Sequence, residues 1–206
     1  MMNEVAEILV KAGCVKFNTK KPFKYTSGIQ SPVYTDCRLL ISHPRFREKI
    51  AGELAGIIKN INGVEAVCGT ASAGIPWAAW TSSILEKPMT YTRSKAKQHG
   101  LRKKLEGTIP AGSKAVVVED LVSSGVSSIG SVKTLREKQL VCQDVVCIFT
   151  YNLEESAKAF MGEDIQLHCA STLDDVLEYC RREKILDEGQ ADKIYGWRLD
   201  PGGWRP

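Results

Sequence analysis

Val116-Val117-Val118-Glu119-Asp120-Leu121-Val122-Ser123-Ser124-Gly125-Val126-Ser127-Ser128 is a β-branched run ending in two adjacent acids, followed by a small hydroxyl-rich loop and the onset of a helical pattern. Three valines in a row suit a strand buried on both faces of a sheet. Glu119 and Asp120 fall where such a strand leaves the core. Ser123, Ser124, Ser127 and Ser128 bring hydroxyls, and Gly125 lets the backbone close tightly around an anion. From Val126 the apolar residues Ile129, Val132 and Leu135 recur at three-residue steps, so a helix begins there with its positive end toward the loop. The stretch predicts a site for a phosphorylated sugar at the carboxyl end of a buried strand. Two carboxylates would repel a bare phosphate, but they suit ribose hydroxyls, held directly or through Mg²⁺. An ordinary strand–turn–helix with surface acids is the plain alternative.

Outward from this stretch, helix and strand patterns alternate. Val5, Ile8, Leu9 and Ala12 form one face of an N-terminal helix ending at Gly13. Residues 14–36 hold short polar and aromatic segments. Pro44 opens a second helix with Phe46, Ile50, Leu54 and Ile57 on one stripe. A turn at Asn62-Gly63 precedes a strand over Val64–Cys68, and a helix is predicted from Pro76 to about Leu85. Pro88–Thr92 and Asp144–Thr150 read as further strands, with a helix over 127–140 between them. Two helices are expected to close the chain over residues 165–206, one opened by a capping box of Thr172 and Asp175. Strands separated by helices imply βαβ units, hence an α/β fold with a mostly parallel central sheet flanked by helices.

Composition fits one compact enzyme domain spanning residues 1–206: 43% apolar, 25% charged, net charge +4. The charge is mild and not gathered in a tail, which argues against a nucleic-acid partner and suits an anionic substrate. The seven cysteines are scattered, with no Cys-x-x-Cys pair, and read as reduced buried thiols of a cytoplasmic protein. Neither a signal peptide nor a membrane partner is expected.

Two more loops carry chemistry. Gly69-Thr70-Ala71-Ser72-Ala73-Gly74 joins a strand to a helix with small residues throughout, exposing backbone N–H groups as a pyrophosphate site needs. Residues 93–107 carry Arg93, Lys95, Lys97, His99, Arg102, Lys103 and Lys104, with no acid before Glu106 and little to dock them. A segment so basic reads as a flexible lid over phosphates, against the plainer reading of a solvated charged loop.

Taken together, the thirteen-residue stretch resembles the phosphoribosyl-pyrophosphate (PRPP) signature of the type I phosphoribosyltransferases. Arg93-x-x-x-Lys97-x-His99-Gly100 and the upstream Tyr25-Thr26-Ser27-Gly28-Ile29-Gln30-Ser31-Pro32-Val33-Tyr34-Thr35-Asp36 are similar to the lid and N-terminal segment of the orotate phosphoribosyltransferase family. The resemblance implies transfer of phosphoribose from PRPP to orotate, giving orotidine 5′-monophosphate and pyrophosphate in pyrimidine biosynthesis. It also implies an N-terminal hood over residues 1–42 and a homodimer that shares its lid across the interface. PRPP is then held by Thr70, Ala71, Ser72, Glu119, Asp120, Leu121, Val122, Ser123, Ser124, Gly125, Val126 and Ser127, with Arg93, Lys97 and His99 as catalytic lid residues. Orotate falls to Ser123, Tyr34 and Thr35. Mg²⁺ is held by PRPP itself with Glu119 and Asp120, without a dedicated protein cage.

The chain departs from the family pattern at named places. Some members have Lys where this chain has Thr26, Ala73 and Ser94, and the first acid here is Glu119 rather than Asp. Some members carry an orotate-binding Arg after the strand at 144–150, and here Tyr151-Asn152-Leu153-Glu154 follows. A phosphoribosyltransferase for another nucleobase and a nucleotide-sensing regulator of pyrimidine genes are the alternatives. The first would lack the basic lid, and the second would need an RNA-binding face.

Overall fold

A computed structural model of the protein describes residues 3–25, 28–93 and 104–206. The chain opens with helix α1 (Glu4–Lys11), capped by the Asn3 side chain, which accepts from the Ala6 N–H. Four short strands follow: β1 (Val15–Phe17), β2 (Phe23–Lys24), β3 (Gln30–Ser31) and β4 (Val33–Thr35). They pair antiparallel, β1 with β4 and β2 with β3. Helix α2 (Pro44–Lys59), strand β5 (Ala66–Thr70), helix α3 (Gly74–Leu85) and strand β6 (Met89–Thr92) come next. Past the undescribed residues lie β7 (Leu105–Glu106), β8 (Lys114–Val122), α4 (Val126–Glu137) and β9 (Val141–Thr150). The chain ends with α5 (Glu154–Gly162), β10 (Gln166–Thr172), α6 (Leu173–Arg182) and α7 (Glu188–Leu199).

Six strands form the central sheet in the order β10-β9-β8-β5-β6-β7. All neighbours are parallel except β6 and β7. The expected doubly covered α/β sheet is therefore present. One core, around Trp77, Ile50, Leu54, Ile148 and Trp197, fills one face, and a second, around Val117, Leu135, Cys147 and Phe160, fills the other. All seven cysteines are free, and all but Cys169 are buried.

Several boundaries differ from expectation, for identifiable reasons. The strand expected at 116–118 continues to Val122, because β9 keeps pairing with it through Leu121↔Phe149 and Val122↔Thr150. The acids thus lie within the strand instead of beyond it. The strand expected at 64–68 is shifted to 66–70, and α3 begins at Gly74, two residues before Pro76. Residues 165–206 are not wholly helical: β10 joins the sheet at its edge beside β9. Its sequence, Gln-Leu-His-Cys-Ala-Ser-Thr, is half-buried and lacks the apolar run of a central strand. Helix α5 is an addition to the expected elements, and its first-turn acids Glu154 and Glu155 are a start signal for it. The capping box at Thr172 and Asp175 is formed as expected, and a second one, Asp187 with Gln190, opens α7. Within residues 1–42, α1 packs against α6 and β10, and Asn3 Nδ2 donates to Ala170 O at 2.9 Å. The short strands β1–β4 make up the stretch that follows α1.

Candidate active site

The carboxyl ends of β5 and β8 bring the two small-residue loops together. Ala71, Ser72 and Ala73 face Glu119 through Ser128 across one cavity of about 230 Å³. Every residue expected from the 119–127 stretch lines it. Two glycines make this approach possible. A Cβ on Gly74 would lie 2.5 Å from Val118 O, so only glycine lets α3 start this close to β8. Gly125 has φ +81° and precedes the first turn of α4; a Cβ there would lie 2.4 Å from Phe160 Cε2. The loop is thus backed by the Phe160 ring, and the N-terminus of α4, with no side-chain cap, faces the cavity.

Glu119 is 6% exposed. Its carboxylate accepts from the Asp120 N–H at 3.3 Å and from Ser128 Oγ at 3.4 Å, both long contacts. Burial pushes the Glu119 pKa up, and the neighbouring Asp120 charge pushes it further. Burial also raises Asp120, while backbone N–H groups and the charge of Arg38 act against that rise. Arg38 itself is held by Asp36 through two bonds, at 2.7 and 2.8 Å. The site therefore holds two adjacent, poorly compensated carboxyls at the mouth of an anion-sized cavity.

Thr70 and Arg93 are not on that cavity. They line an adjoining one of about 250 Å³ together with Lys104, Thr92 and Ser131. The Thr70 hydroxyl is 3.0 Å from Ser131 Oγ, and Thr92 Oγ1 is 2.6 Å from the same atom. Arg93 pairs with Glu106 at 3.1 Å, and its N–H donates to Lys104 O at 2.8 Å. Lys97 and His99 lie outside the described residues.

Tyr34 and Thr35 line a third, larger cavity of about 830 Å³, which shares Leu121, Ser123 and Ser124 with the loop cavity. The expected contacts of Ser123, Tyr34 and Thr35 are thereby gathered around one space. Tyr25, Tyr151 and Trp197, none of them anticipated, complete an aromatic wall. Tyr151 Oη accepts from the Thr35 N–H at 3.0 Å and stands 3.1 Å from Tyr25 Oη. Its position directly after β9 was a usable signal, since sites in such sheets gather at strand carboxyl ends. Trp197 gave none, being far along the chain. Where some family members place an arginine, Lys158 is the cation among the described lining residues, paired with Glu154 at 2.5 Å.

A mostly parallel sheet with two acids near the end of a central strand, an anion loop and an adjoining aromatic cavity is the arrangement expected of a phosphoribosyltransferase. Residues 40–161 match the family model of the phosphoribosyl transferase domain. An orotate phosphoribosyltransferase of Coxiella burnetii is 40% identical over 204 residues, covering 98% of each chain. Among solved structures, the orotate phosphoribosyltransferase of Aeropyrum pernix superposes with a TM-score of 0.75 at 29% identity, over 85% of this chain and 97% of that one. Leishmania donovani UMP synthase gives a TM-score of 0.81 at 26% identity over 95% of this chain, which spans 41% of that longer protein. This chain belongs to the orotate phosphoribosyltransferase family.

Proposed function

We propose that the protein transfers the 5-phosphoribosyl group of PRPP to orotate, releasing pyrophosphate and forming orotidine 5′-monophosphate. The observation that carries this reading is the adjacency of the two cavities. The loop cavity, lined by Ala71–Ala73 and Glu119–Ser128, shares Leu121, Ser123 and Ser124 with the aromatic cavity beside it. A ribose seated between them presents its anomeric carbon to a flat base on one side and its 5-phosphate to α4 on the other.

The 123–127 backbone and hydroxyls hold the 5-phosphate at the positive end of α4. Glu119 and Asp120 accept from the ribose hydroxyls and fix the sugar. Ala71 and Ser72 offer small-residue backbone to the pyrophosphate. As the bond from the anomeric carbon to pyrophosphate lengthens, negative charge gathers on the leaving group, and the lid cations Arg93, Lys97 and His99 stabilise it. Closure of the lid keeps water from the oxocarbenium-like ribose. Orotate is already an anion, so attack by its ring nitrogen needs no strong base. Lys158 offers positive charge to its carboxylate where the family arginine is missing.

Mg²⁺ fits the donor set: two adjacent carboxyls beside a polyphosphate site suit a hard cation that keeps most of its ligands as substrate oxygens and water. Among the described residues no group of three or more His, Cys, Asp or Glu is placed to hold a metal. Bound there with PRPP through Glu119 and Asp120, Mg²⁺ would neutralise charge developing on pyrophosphate.

Arg93 lines a neighbouring cavity that shares Ala71, Val126 and Ser127 with the loop cavity. The resemblance of the lid motif is what suggests a homodimer in which each lid serves the partner's site. Reduced, buried thiols suit the cytoplasm, and no helix among the described residues is long and apolar enough to cross a membrane. The test is pyrophosphate release from PRPP and Mg²⁺ with orotate, uracil, adenine or hypoxanthine offered in turn. Turnover with orotate is expected. Turnover only with another base would assign a different transferase, and none with any base would favour a sensor.

A further inference from the structure

About half of the lining of the aromatic cavity comes from outside the matched domain. Residues 40–161 supply Leu121, Ser123, Ser124, Tyr151 and the stretch Leu153, Glu154, Glu155 and Lys158, whereas Tyr25, Ile29, Tyr34 and Thr35 come from before it. Trp197, Leu199, Asp200, Pro201 and Gly202 come from after it, at the end of α7. The C-terminal helix is tied to both other walls. Trp197 is 1% exposed, and its indole N–H donates to Gln30 O of β3 at 2.9 Å. Its ring meets Tyr25 edge-on with centroids 6.2 Å apart and Tyr151 with centroids 5.5 Å apart. Next in sequence, Arg198 pairs with Asp174 of α6 at 3.1 Å and donates to Asn152 O at 3.3 Å.

We infer that α7 forms the third wall of the nucleobase pocket and helps set acceptor affinity, with Trp197 as a positioning residue for the hood and Leu199 facing the bound base. This rests on the assignment of orotate as the acceptor. These hydrogen bonds, ion pair and ring contacts of Trp197 and Arg198 run to Gln30, Tyr25, Tyr151, Asp174 and Asn152 and to no residue of the phosphate loop, so the effect should fall on the acceptor more than on PRPP.

Leu199 is 58% exposed, so charge can be placed there without disturbing the core. In the full-length protein, Leu199→Asp sets a negative charge against anionic orotate, and Leu199→Lys sets a positive one. The expected result is an orotate KM raised threefold or more by Leu199→Asp and lowered or unchanged by Leu199→Lys. The gap between the two should shrink as salt rises. The KM for PRPP and the melting temperature should stay close to wild type. Trp197→Phe, which keeps a ring but removes the indole donor, should raise the orotate KM with little change in the PRPP KM.

Equal orotate KM values in the two Leu199 variants would overturn the inference. So would equal rises in the KM values for orotate and PRPP, which would mark general loosening. Wild-type protein inactive with orotate would instead overturn the acceptor assignment, so the two failures are distinguishable.

Discussion

Glu119→Gln separates what the apoprotein needs from what the substrate needs. Its carboxyl is buried, accepts long hydrogen bonds from the Asp120 N–H and Ser128 Oγ, and adjoins Asp120. Burial first, and the Asp120 charge second, hold its pKa above the usual carboxylate range. A carboxyl whose pKa is higher folded than unfolded keeps its proton more tightly in the native chain. Stability therefore falls as pH rises from the unfolded value of about 4.3 through the folded one, and below the unfolded value the effect vanishes. Leaving a buried polar group under-satisfied costs about 1–3 kcal/mol, and for this carboxyl the cost is felt as it ionises toward pH 8. Removing the charge should relieve it. For a chain of this size roughly 2–4 °C of melting temperature accompanies each kcal/mol. Glu119→Gln should thus melt about 3–10 °C above wild type at pH 8 and within about a degree of it at pH 4. With PRPP and Mg²⁺ the gain should shrink, because the ribose hydroxyls lose an ionised acceptor; the KM for PRPP should rise about tenfold or more. Differential scanning fluorimetry across pH, with and without PRPP, reads both effects. A variant that melts lower than wild type at pH 8, or gains equally at every pH, would refute the reasoning.

Lys97→Ala should leave the melting temperature unchanged and lower turnover by orders of magnitude, since one lost transition-state charge contact costs about 3 kcal/mol; steady-state kinetics beside a melt checks it. Gly125→Ala forces a side chain at φ +81° and sets it 2.4 Å from the Phe160 ring. It should cost about 1–3 kcal/mol of stability and raise the KM for PRPP, read by chemical denaturation and kinetics. Lys97→Ala and Asp120→Asn chains, each nearly inactive alone, should recover about half of wild-type activity per heterodimer if the lid crosses the interface. Doubly tagged heterodimers that stay inactive would confine each lid to its own subunit.

The PRPP half of the site was legible because its chemistry is local in sequence. The stretch from Val116 to Ser128 carries strand, acids, glycine turn and helix start in order, and Gly69–Gly74 repeats the small-residue logic. The strand boundary was missed because continued pairing with β9 carries Glu119 and Asp120 inside the ladder, and pairing partners are not visible in a single segment. The nucleobase half was only partly legible. Tyr34 and Thr35 came through resemblance, but Tyr151 and Trp197 reach the pocket through tertiary packing, and Trp197 lies 167 positions from the Gln30 carbonyl it meets. β10 is hard to read from sequence because it lies at the sheet edge with most of its residues only half-buried, and so carries no apolar run.

The stitching of both termini into the body has a consequence for synthesis. Asn3 bonds to Ala170 across 167 positions, the same span as Trp197 to Gln30. Neither contact can form while the later residue is still inside the ribosome. The emerging chain can assemble the paired β5 and β8 ladder early, yet it leaves α1 without its seat and the hood strands without their clasp until the last segment is released. Contacts this distant in sequence are slow to close, and apolar faces left waiting invite association between chains. Nascent chains stalled before residue 188 should therefore be the aggregation-prone species, a burden that falls on translation speed and chaperones and not on the finished enzyme.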